Sequence, residues 1–203
     1  MEIINLKVYG LEESIIRSGY PMQVGKPEIL LYSDDKTIYT GEPESKDFDR
    51  ANKLAKTPSG SGHNNFLKGI IVQFDLRYPE YFSPQLQRYH WIDIVSSQSK
   101  MHKITSRELT VEDFTPEVHE DNIENINKCI RAYNELMFKE EQSIWFSRII
   151  ANLPSGYMKW MGISTNYLQL KTIYNQRKNH KLREWGEFCS WIETLPLAHL
   201  ITK

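Results

Sequence analysis

The sequence predicts an α/β or α+β fold with a central antiparallel or mixed sheet flanked by helices. Three observations carry that expectation: strand-like runs concentrate in the first half, helical periodicity dominates the second, and no internal repeat, low-complexity tract or obvious linker interrupts the 203 residues. Residues 1–203 therefore read as a single domain. Ile3 to Tyr9 alternates weakly as a strand and Gly10 ends it, with a short helix expected over Leu11–Arg17. From Tyr20 to Glu44 prolines and glycines break the pattern, and only Ile29 to Tyr32 is strand-like. Ser45 to Lys56 reads as a solvated helix that runs into the small-residue loop Thr57-Pro58-Ser59-Gly60-Ser61-Gly62-His63. Gly69 to Arg77 is the best strand, β-branched at first and then alternating Val72, Phe74 and Leu76 against Gln73 and Asp75. A helix is expected over Pro79–Tyr89, and a short apolar run, Trp91 to Val95, follows it.

In the second half, Thr115-Pro116-Glu117 combines an N-cap, a proline suited to the first helical position and an acid at the positive helix end. Ile123, Ile126, Ile130, Tyr133 and Met137 then repeat at steps of three and four, predicting one helix of roughly 20 to 25 residues with an apolar face. Leu153-Pro154-Ser155-Gly156 interrupts, and Tyr157 to Ile163 is apolar. Ser164-Thr165 is expected to cap a helix from Asn166 to about Asn179, and a last helix spans Leu182 to Thr194.

Composition narrows the function. Twenty-five Lys+Arg against 26 Asp+Glu give a formal charge of −1, so the molecule lacks the general positive field of a non-specific nucleic-acid binder. No apolar run approaches the roughly 20 residues of a membrane span, and Met1 to Tyr9 lacks the basic-then-apolar plan of a secretion signal, which leads us to expect a cytoplasmic protein. Cys129 and Cys189 have neither CxxC nor Cys/His spacing, so neither a disulfide scaffold nor a metal site is expected; both read as core thiols. The 24 aromatic residues, 5 Trp, 11 Tyr and 8 Phe, can pack a core and still line a pocket for a flat ligand.

Three blocks stand out. His63 closes a Ser/Gly loop and opens a helical turn with Asn64-Asn65, an arrangement that offers backbone N–H groups to an anion and equally serves as a plain hinge. Gln85-Leu86-Gln87-Arg88-Tyr89-His90, followed by Ser96-Ser97-Gln98-Ser99-Lys100-Met101-His102-Lys103, gathers positive charge with hydroxyl and amide groups. No acid occurs from Ser96 to Lys103. That block suits phosphate oxygens; a polar surface turn is the plainer reading, and a single-strand nucleic-acid patch a third that the near-zero net charge disfavours. In the helix from Asn166, eleven residues at 100° return within roughly 20° after a rise of about 16 Å, so Asn166 and Arg177 bracket the stripe Leu170–Ile173. Arg177 then either pairs with a buried carboxylate or aims its fork at an anion or a base edge.

In order and spacing these blocks resemble the flavin-dependent thymidylate synthases, over roughly His63 to Glu184. The family's Ser-Gly-His matches Ser61-Gly62-His63, its Gln-x-x-Arg matches Gln85 and Arg88, and its serine-bearing turn matches Ser97, Ser99 and Lys100. Its Leu-Pro and helix-opening Asn, with Leu four and Arg eleven residues on, match Leu153-Pro154, Asn166, Leu170 and Arg177. The departures are equally specific: Arg-His-Arg is Arg88-Tyr89-His90, the Arg two residues after the Asn is Leu168, the Arg before Leu-Pro is Ile150, and Lys100 replaces an Arg. The resemblance implies an FAD site lined by His63, Asn65, Arg88, His90 and Asn166, with Tyr89 stacking on or shaping it. It implies a deoxyuridine monophosphate (dUMP) site at Gln85, Ser97, Ser99, Lys100 and Arg177, the last at the uracil edge as the catalytic residue. The implied reaction is reductive methylation, with NADPH and methylenetetrahydrofolate as co-substrates, in a homotetramer whose sites lie between subunits. Because several flavin-facing cations are lost, the resemblance also admits a non-catalytic homologue that binds nucleotide or regulates.

Overall fold

Eight residues of alternating polar and apolar character open the chain as strand β1, Glu2–Tyr9, and Gly10 turns it in the left-handed region at φ 70°. A side chain at Gly10 would place its Cβ 2.5 Å from the Gly69 carbonyl, so the turn admits only glycine on both counts. A computed structural model describes residues 1–25, 43–58 and 60–203, together with the backbone of 32–33 and 36–37. Helix α1 spans Leu11–Arg17; β2 (Tyr32–Ser33) and β3 (Lys36–Thr37) pair antiparallel; α2 spans Ser45–Ala55. The strand expected over Ile29–Tyr32 lies, but for Tyr32, outside the described residues.

After a 3-10 turn over Asn65–Gly69 come β4 (Ile71–Pro79), the one-turn α3 (Ser83–Leu86), β5 (Asp93–Ser97) and the one-turn α4 (Lys100–Lys103). Helices α5 (Glu120–Glu135) and α6 (Lys139–Asn152) precede β6 (Met158–Asn166), and α7 (Tyr167–Arg177), α8 (Arg183–Ile192) and α9 (His199–Thr202) close the chain. Strands β1, β4, β6 and β5, in that order, form an antiparallel sheet flanked by helices, as the sequence predicts.

Four local expectations need correction. Pro79–Tyr89 holds only a 3-10 turn and α3, because the N–H groups of Glu80 and Tyr81 donate to the carbonyls of Tyr157 and Ser155. The Thr115 N–H donates to the Gly156 carbonyl, beside a Phe114–Tyr157 bridge, so the helix starts at Glu120 and not at Pro116. The single long helix is two: Leu136 and Phe138 are extended, Gln142 Nε2 donates to the Leu136 carbonyl, and Met137 is 91% exposed instead of sharing the apolar face. Asn166 itself caps α7, and Ser164 and Thr165 belong to β6.

The chain divides into two compact units, one of Met1–Ile4, Asp75–Arg88 and Ile94–Ile163, the other of Asn5–Phe74, Tyr89–Asp93 and Ser164–Lys203. In the first, Ile104, Leu109, Phe114, Ile123, Ile126, Ile130 and Ile149 form an apolar cluster against which Tyr133 and Phe146 pack. Buried Asn127 of α5 accepts from the Leu109 N–H (2.8 Å) and donates to its carbonyl (2.9 Å), giving an otherwise unpaired backbone residue both of its partners. In the second unit Val72 and Phe74 point inward, and Phe74, Trp185, Phe188 and Trp191 meet at tilted or edge-on ring contacts 4.5 to 6.1 Å apart. Each such ring buried contributes about 1.5–3 kcal/mol.

Buried Lys171 of α7 donates to the carbonyls of Ala55 and Thr57, and Asn64 Nδ2 donates to the same Thr57 carbonyl (3.2 Å). The ammonium thus satisfies carbonyls at the C-terminal end of α2, where the helix dipole favours a cation, and ties down the start of the Ser/Gly loop. No helix among the described residues is long and apolar enough to cross a membrane.

Candidate functional site

Glu80 follows β4 directly, and its carboxylate lies 3.3 Å from Lys100 Nζ and 2.9 Å from Lys159 Nζ. Burial alone would raise its pKa; the two ammonium groups outweigh that and hold Glu80 below the ordinary carboxylate range. Lys159 is burdened by the same burial, yet its bond to Glu80 keeps it above the ordinary lysine value and therefore charged. Lys100 and Lys159, both held by Glu80, line a cleft of about 570 Å³ in the first unit together with Arg77, Ser99, His102, Lys103, Arg107 and Trp160. Ser99 Oγ lies 2.8 Å from His102 Nδ1, and Gln98 pairs with the backbone of Trp160 through both its N–H (2.9 Å) and its side-chain oxygen (3.1 Å). Arg107, which also lines the cleft, forks onto Asp113 at 2.7 and 2.6 Å, and Asp113 also accepts from the Thr110 N–H. Despite the burial that opposes it, Arg107 holds Asp113 below its ordinary range.

The serines of the turn part company. Ser99 lines the basic cleft, whereas Ser97, the last residue of β5, lines a shallower groove with Asp75, Trp160 and Gly162. Gln85 in α3 is half-buried, and Arg88, just beyond it, is exposed; both lie outside these two clefts.

In the second unit, a cleft of about 360 Å³ is lined by Gly60, Gly62, Asn65, Lys68, Trp91, Leu168, Gln169 and Thr172. Both glycines take positive φ, 90° and 80°, which frees the loop to expose its backbone there. Lys68 Nζ sits 5.2 Å from the centroid of the Trp91 ring, which is 40% exposed, and the His90 ring lies 5.5 Å from that indole. Gln169 accepts from the Trp91 N–H (3.2 Å) and Thr165 Oγ1 donates to its carbonyl (2.6 Å), so the tryptophan is held from both sides. Of the residues that the resemblance assigns to the flavin, Asn65 lines this cleft. His63 is exposed, and Asn166 uses its side-chain oxygen to cap the Gln169 N–H at 2.9 Å.

Tyr89 and Arg177 form a third constellation in the second unit. Tyr89, 9% exposed, meets Trp185 edge-on at 5.9 Å, accepts from Arg177 Nε at 2.7 Å and donates to Gln176 at 3.1 Å. The guanidinium carbon lies 4.7 Å from the Trp185 centroid and 5.6 Å from that of Tyr89. No carboxylate is among these contacts: Arg177 stacks on aromatic rings and uses one of its five donors on a phenol. Its two terminal nitrogens keep the planar edge that suits paired acceptors.

The sequence also left residues unnoticed. Arg77, Arg107 and Lys159 of the basic cleft are separated by up to 82 positions and come together only through β4, β6 and the turn after α4. Lys68 carried one usable signal, a cation five residues beyond His63 at the end of the glycine loop. Among the described residues no group of three or more His, Cys, Asp or Glu is placed to hold a metal ion.

No family model and no curated protein sequence matches the chain. Solved structures do, among them flavin-dependent thymidylate synthase of Helicobacter pylori complexed with FAD and dUMP, and a second structure of that Helicobacter pylori enzyme with FAD and dUMP at 2.31 Å resolution. Each is 16% identical with a TM-score of 0.69, covering 100% of this chain and 97% of the other. The chain therefore has the fold of the flavin-dependent thymidylate synthases.

Proposed function

We propose that the chain is a single-domain, flavin-dependent enzyme of the thymidylate synthase type, converting dUMP to dTMP with methylenetetrahydrofolate and NADPH. One observation carries the reading: Ser99 and Lys100, assigned to the nucleotide phosphate by resemblance, line a basic cleft in a chain that shares its fold, end to end, with an enzyme solved with FAD and dUMP. In the cleft, Lys100 offers a charged donor whose position Glu80 fixes, and Ser99 a hydroxyl. Arg177, its plane set by Tyr89 and Trp185, presents two parallel N–H donors suited to a pyrimidine carbonyl edge and to negative charge developing on it.

For the flavin, the chemistry of the second cleft is the test. An exposed indole for a flat ring, an ammonium at Lys68 for phosphate, the Asn65 amide and an open glycine loop fit one end of a dinucleotide. When bound and reduced by NADPH, the flavin would supply the hydride that the methyl transfer requires. The chain's part is to hold it: Trp91 and Lys68 at the cleft, with Arg88 and His90 at the first and last positions of the family's Arg-His-Arg. Tyr89, engaged by Arg177 and Gln176, acts by positioning the arginine. Self-association as a homotetramer is supported by the exposed apolar residues of β1 and β5, Ile4, Leu6, Tyr9, Ile94 and Val95. The free thiols Cys129 and Cys189 suit a cytoplasmic setting.

A second reading, a nucleotide-binding or regulatory protein without flavin chemistry, is favoured by apolar Leu168 in the second cleft, where the family has an arginine. Colour separates the two. The enzyme should purify yellow, or turn yellow with FAD, and NADPH should bleach its visible band; protein that stays colourless with added FAD refutes the enzymatic reading. Arg177→Ala should weaken dUMP binding in calorimetry, and unchanged affinity would remove Arg177 from the pyrimidine.

A further inference from the structure

Ser99 stands at the N-cap position of α4, where a serine hydroxyl ordinarily accepts a backbone N–H, yet its side chain caps nothing there. Instead its Oγ lies 2.8 Å from Nδ1 of His102, and both residues are exposed and line the basic cleft. The other imidazole nitrogen, Nε2, has no partner among the described residues. A hydroxyl owns one hydrogen. If Nδ1 is bare, Ser99 spends that hydrogen on the ring and turns only lone pairs toward an anion. If Nδ1 carries a hydrogen, the ring donates, Ser99 accepts, and the hydroxyl hydrogen is free for a phosphate oxygen. The state of His102 therefore decides whether Ser99 attracts or repels a phosphate.

We propose that His102 is a positioning residue of the nucleotide site: donating from Nδ1, it turns the Ser99 hydroxyl toward the phosphate of dUMP and takes up a proton as the nucleotide binds. The inference rests on the reading that Ser99 and Lys100 hold that phosphate, and adds to it one residue and one proton. The proton comes from solvent and returns there when the nucleotide leaves. A phosphate dianion beside the ring favours the imidazolium over either neutral tautomer. Histidine is the residue type whose charge ordinarily changes between about pH 5 and 8. The other charged or titratable side chains lining the cleft are Arg77 of β4, Lys100 and Lys103 of α4, Arg107 and Asp113 between α4 and α5, Tyr157 just before β6 and Lys159 within it. Glu80 adds its carboxylate to Lys100 and Lys159. Against the cost of burial, Glu80 and Asp113 are held below the ordinary carboxylate range by their cations, and burial holds Tyr157 above the ordinary phenol value, which moves all three away from neutrality.

The test is titration calorimetry of the full chain with dUMP, from about pH 6.5 to about 8.5 and in buffers of different ionisation enthalpy, on wild type, His102→Asn and His102→Ala. The lower limit keeps most of the phosphate, whose second pKa is about 6, dianionic. Asparagine sets an amide nitrogen near the place of Nδ1, so it still donates to Ser99 but does not titrate. Wild-type affinity should fall about tenfold as rising pH removes the His102 proton, with uptake of about half a proton per dUMP midway through that change. His102→Ala should bind dUMP about fivefold more weakly, the worth of one hydrogen bond. His102→Asn should recover most of that loss and show neither the extra proton uptake nor the fall with pH. Titration of the phosphate, or of groups from another subunit, is common to the three proteins, so the differences belong to His102. Binding of dUMP with equal proton uptake in wild type and His102→Asn overturns this inference alone, as does unchanged affinity in His102→Ala. Failure of the wild type to bind dUMP overturns the nucleotide reading and this inference with it.

Discussion

Removing one oxygen atom, in Tyr89→Phe, should reveal what holds Arg177 in place. The Tyr89 hydroxyl accepts from Arg177 Nε at 2.7 Å and donates to Gln176 at 3.1 Å, in a setting where Tyr89 is 9% exposed. The ring contacts to Trp185 and Arg177 survive in phenylalanine, so the substitution isolates the hydrogen bonds. A hydrogen bond to a charged group contributes about 1.5–3 kcal/mol, and the partial exposure of Arg177 argues for the lower end. We expect a loss of about 1.5 kcal/mol in urea unfolding, or a fall in Tm of about 3–6 °C for a chain of this size. Arg177→Met and the double variant complete a cycle whose coupling energy should be at least about 1 kcal/mol. Additivity within about 0.3 kcal/mol would show that the phenol does not hold the arginine, and the argument that Tyr89 sets the plane of the fork would fall with it.

Two further outcomes follow from buried titratable groups. Burial lowers the pKa of Lys171 below 10.5, so the folded chain releases this proton at lower pH than the unfolded chain does. Between the two values the unfolded state binds more protons, and the stability difference between wild type and Lys171→Met should shift in favour of wild type as pH rises to about 10.5. A difference that stays flat across pH 8 to about 10.5, measured by urea midpoints, would contradict the burial of its charge. Burial, with Glu193 adding to it, pushes the Cys189 thiol up to about 11, and Cys189 is buried where Cys129 is only partly so. A thiol reagent at pH 8 should therefore label Cys129 in the native protein and reach Cys189 only on unfolding; equal rates would refute this.

The legible parts of the fold were those whose signal is local. Alternation of Val72, Phe74 and Leu76 placed β4 within two residues, and the return of Arg177 beneath Asn166 along Leu170 and Ile173 placed α7. The break between α5 and α6 escaped because Leu136, Met137 and Phe138 contain neither glycine nor proline, and Met137 happens to continue the three-and-four spacing. Thr115-Pro116-Glu117 carries every local mark of a helix start, yet the bond from Thr115 to Gly156 is non-local and prevails. Site chemistry divides the same way. Ser99 and Lys100 were visible as a short polar block, but their neutralising acid, Glu80, lies 20 positions upstream and enters only through the fold. Arg77 and Lys159 meet at the cleft because β4 and β6 are paired neighbours in the sheet.

The two clefts each hold an indole, Trp160 in one and Trp91 in the other, while Trp185 is wholly buried. This distribution gives the protein its own optical labels. Trp160 sits among cations, which favours iodide over caesium as its quencher, a preference that Trp91 under Lys68 and Trp145 under Arg148 share. Trp91, rigidly tied through its backbone but open on its ring, lies where an absorbing cofactor would take up its emission. Occupancy of either cleft can thus be followed in the unmodified chain, by light that its own side chains emit.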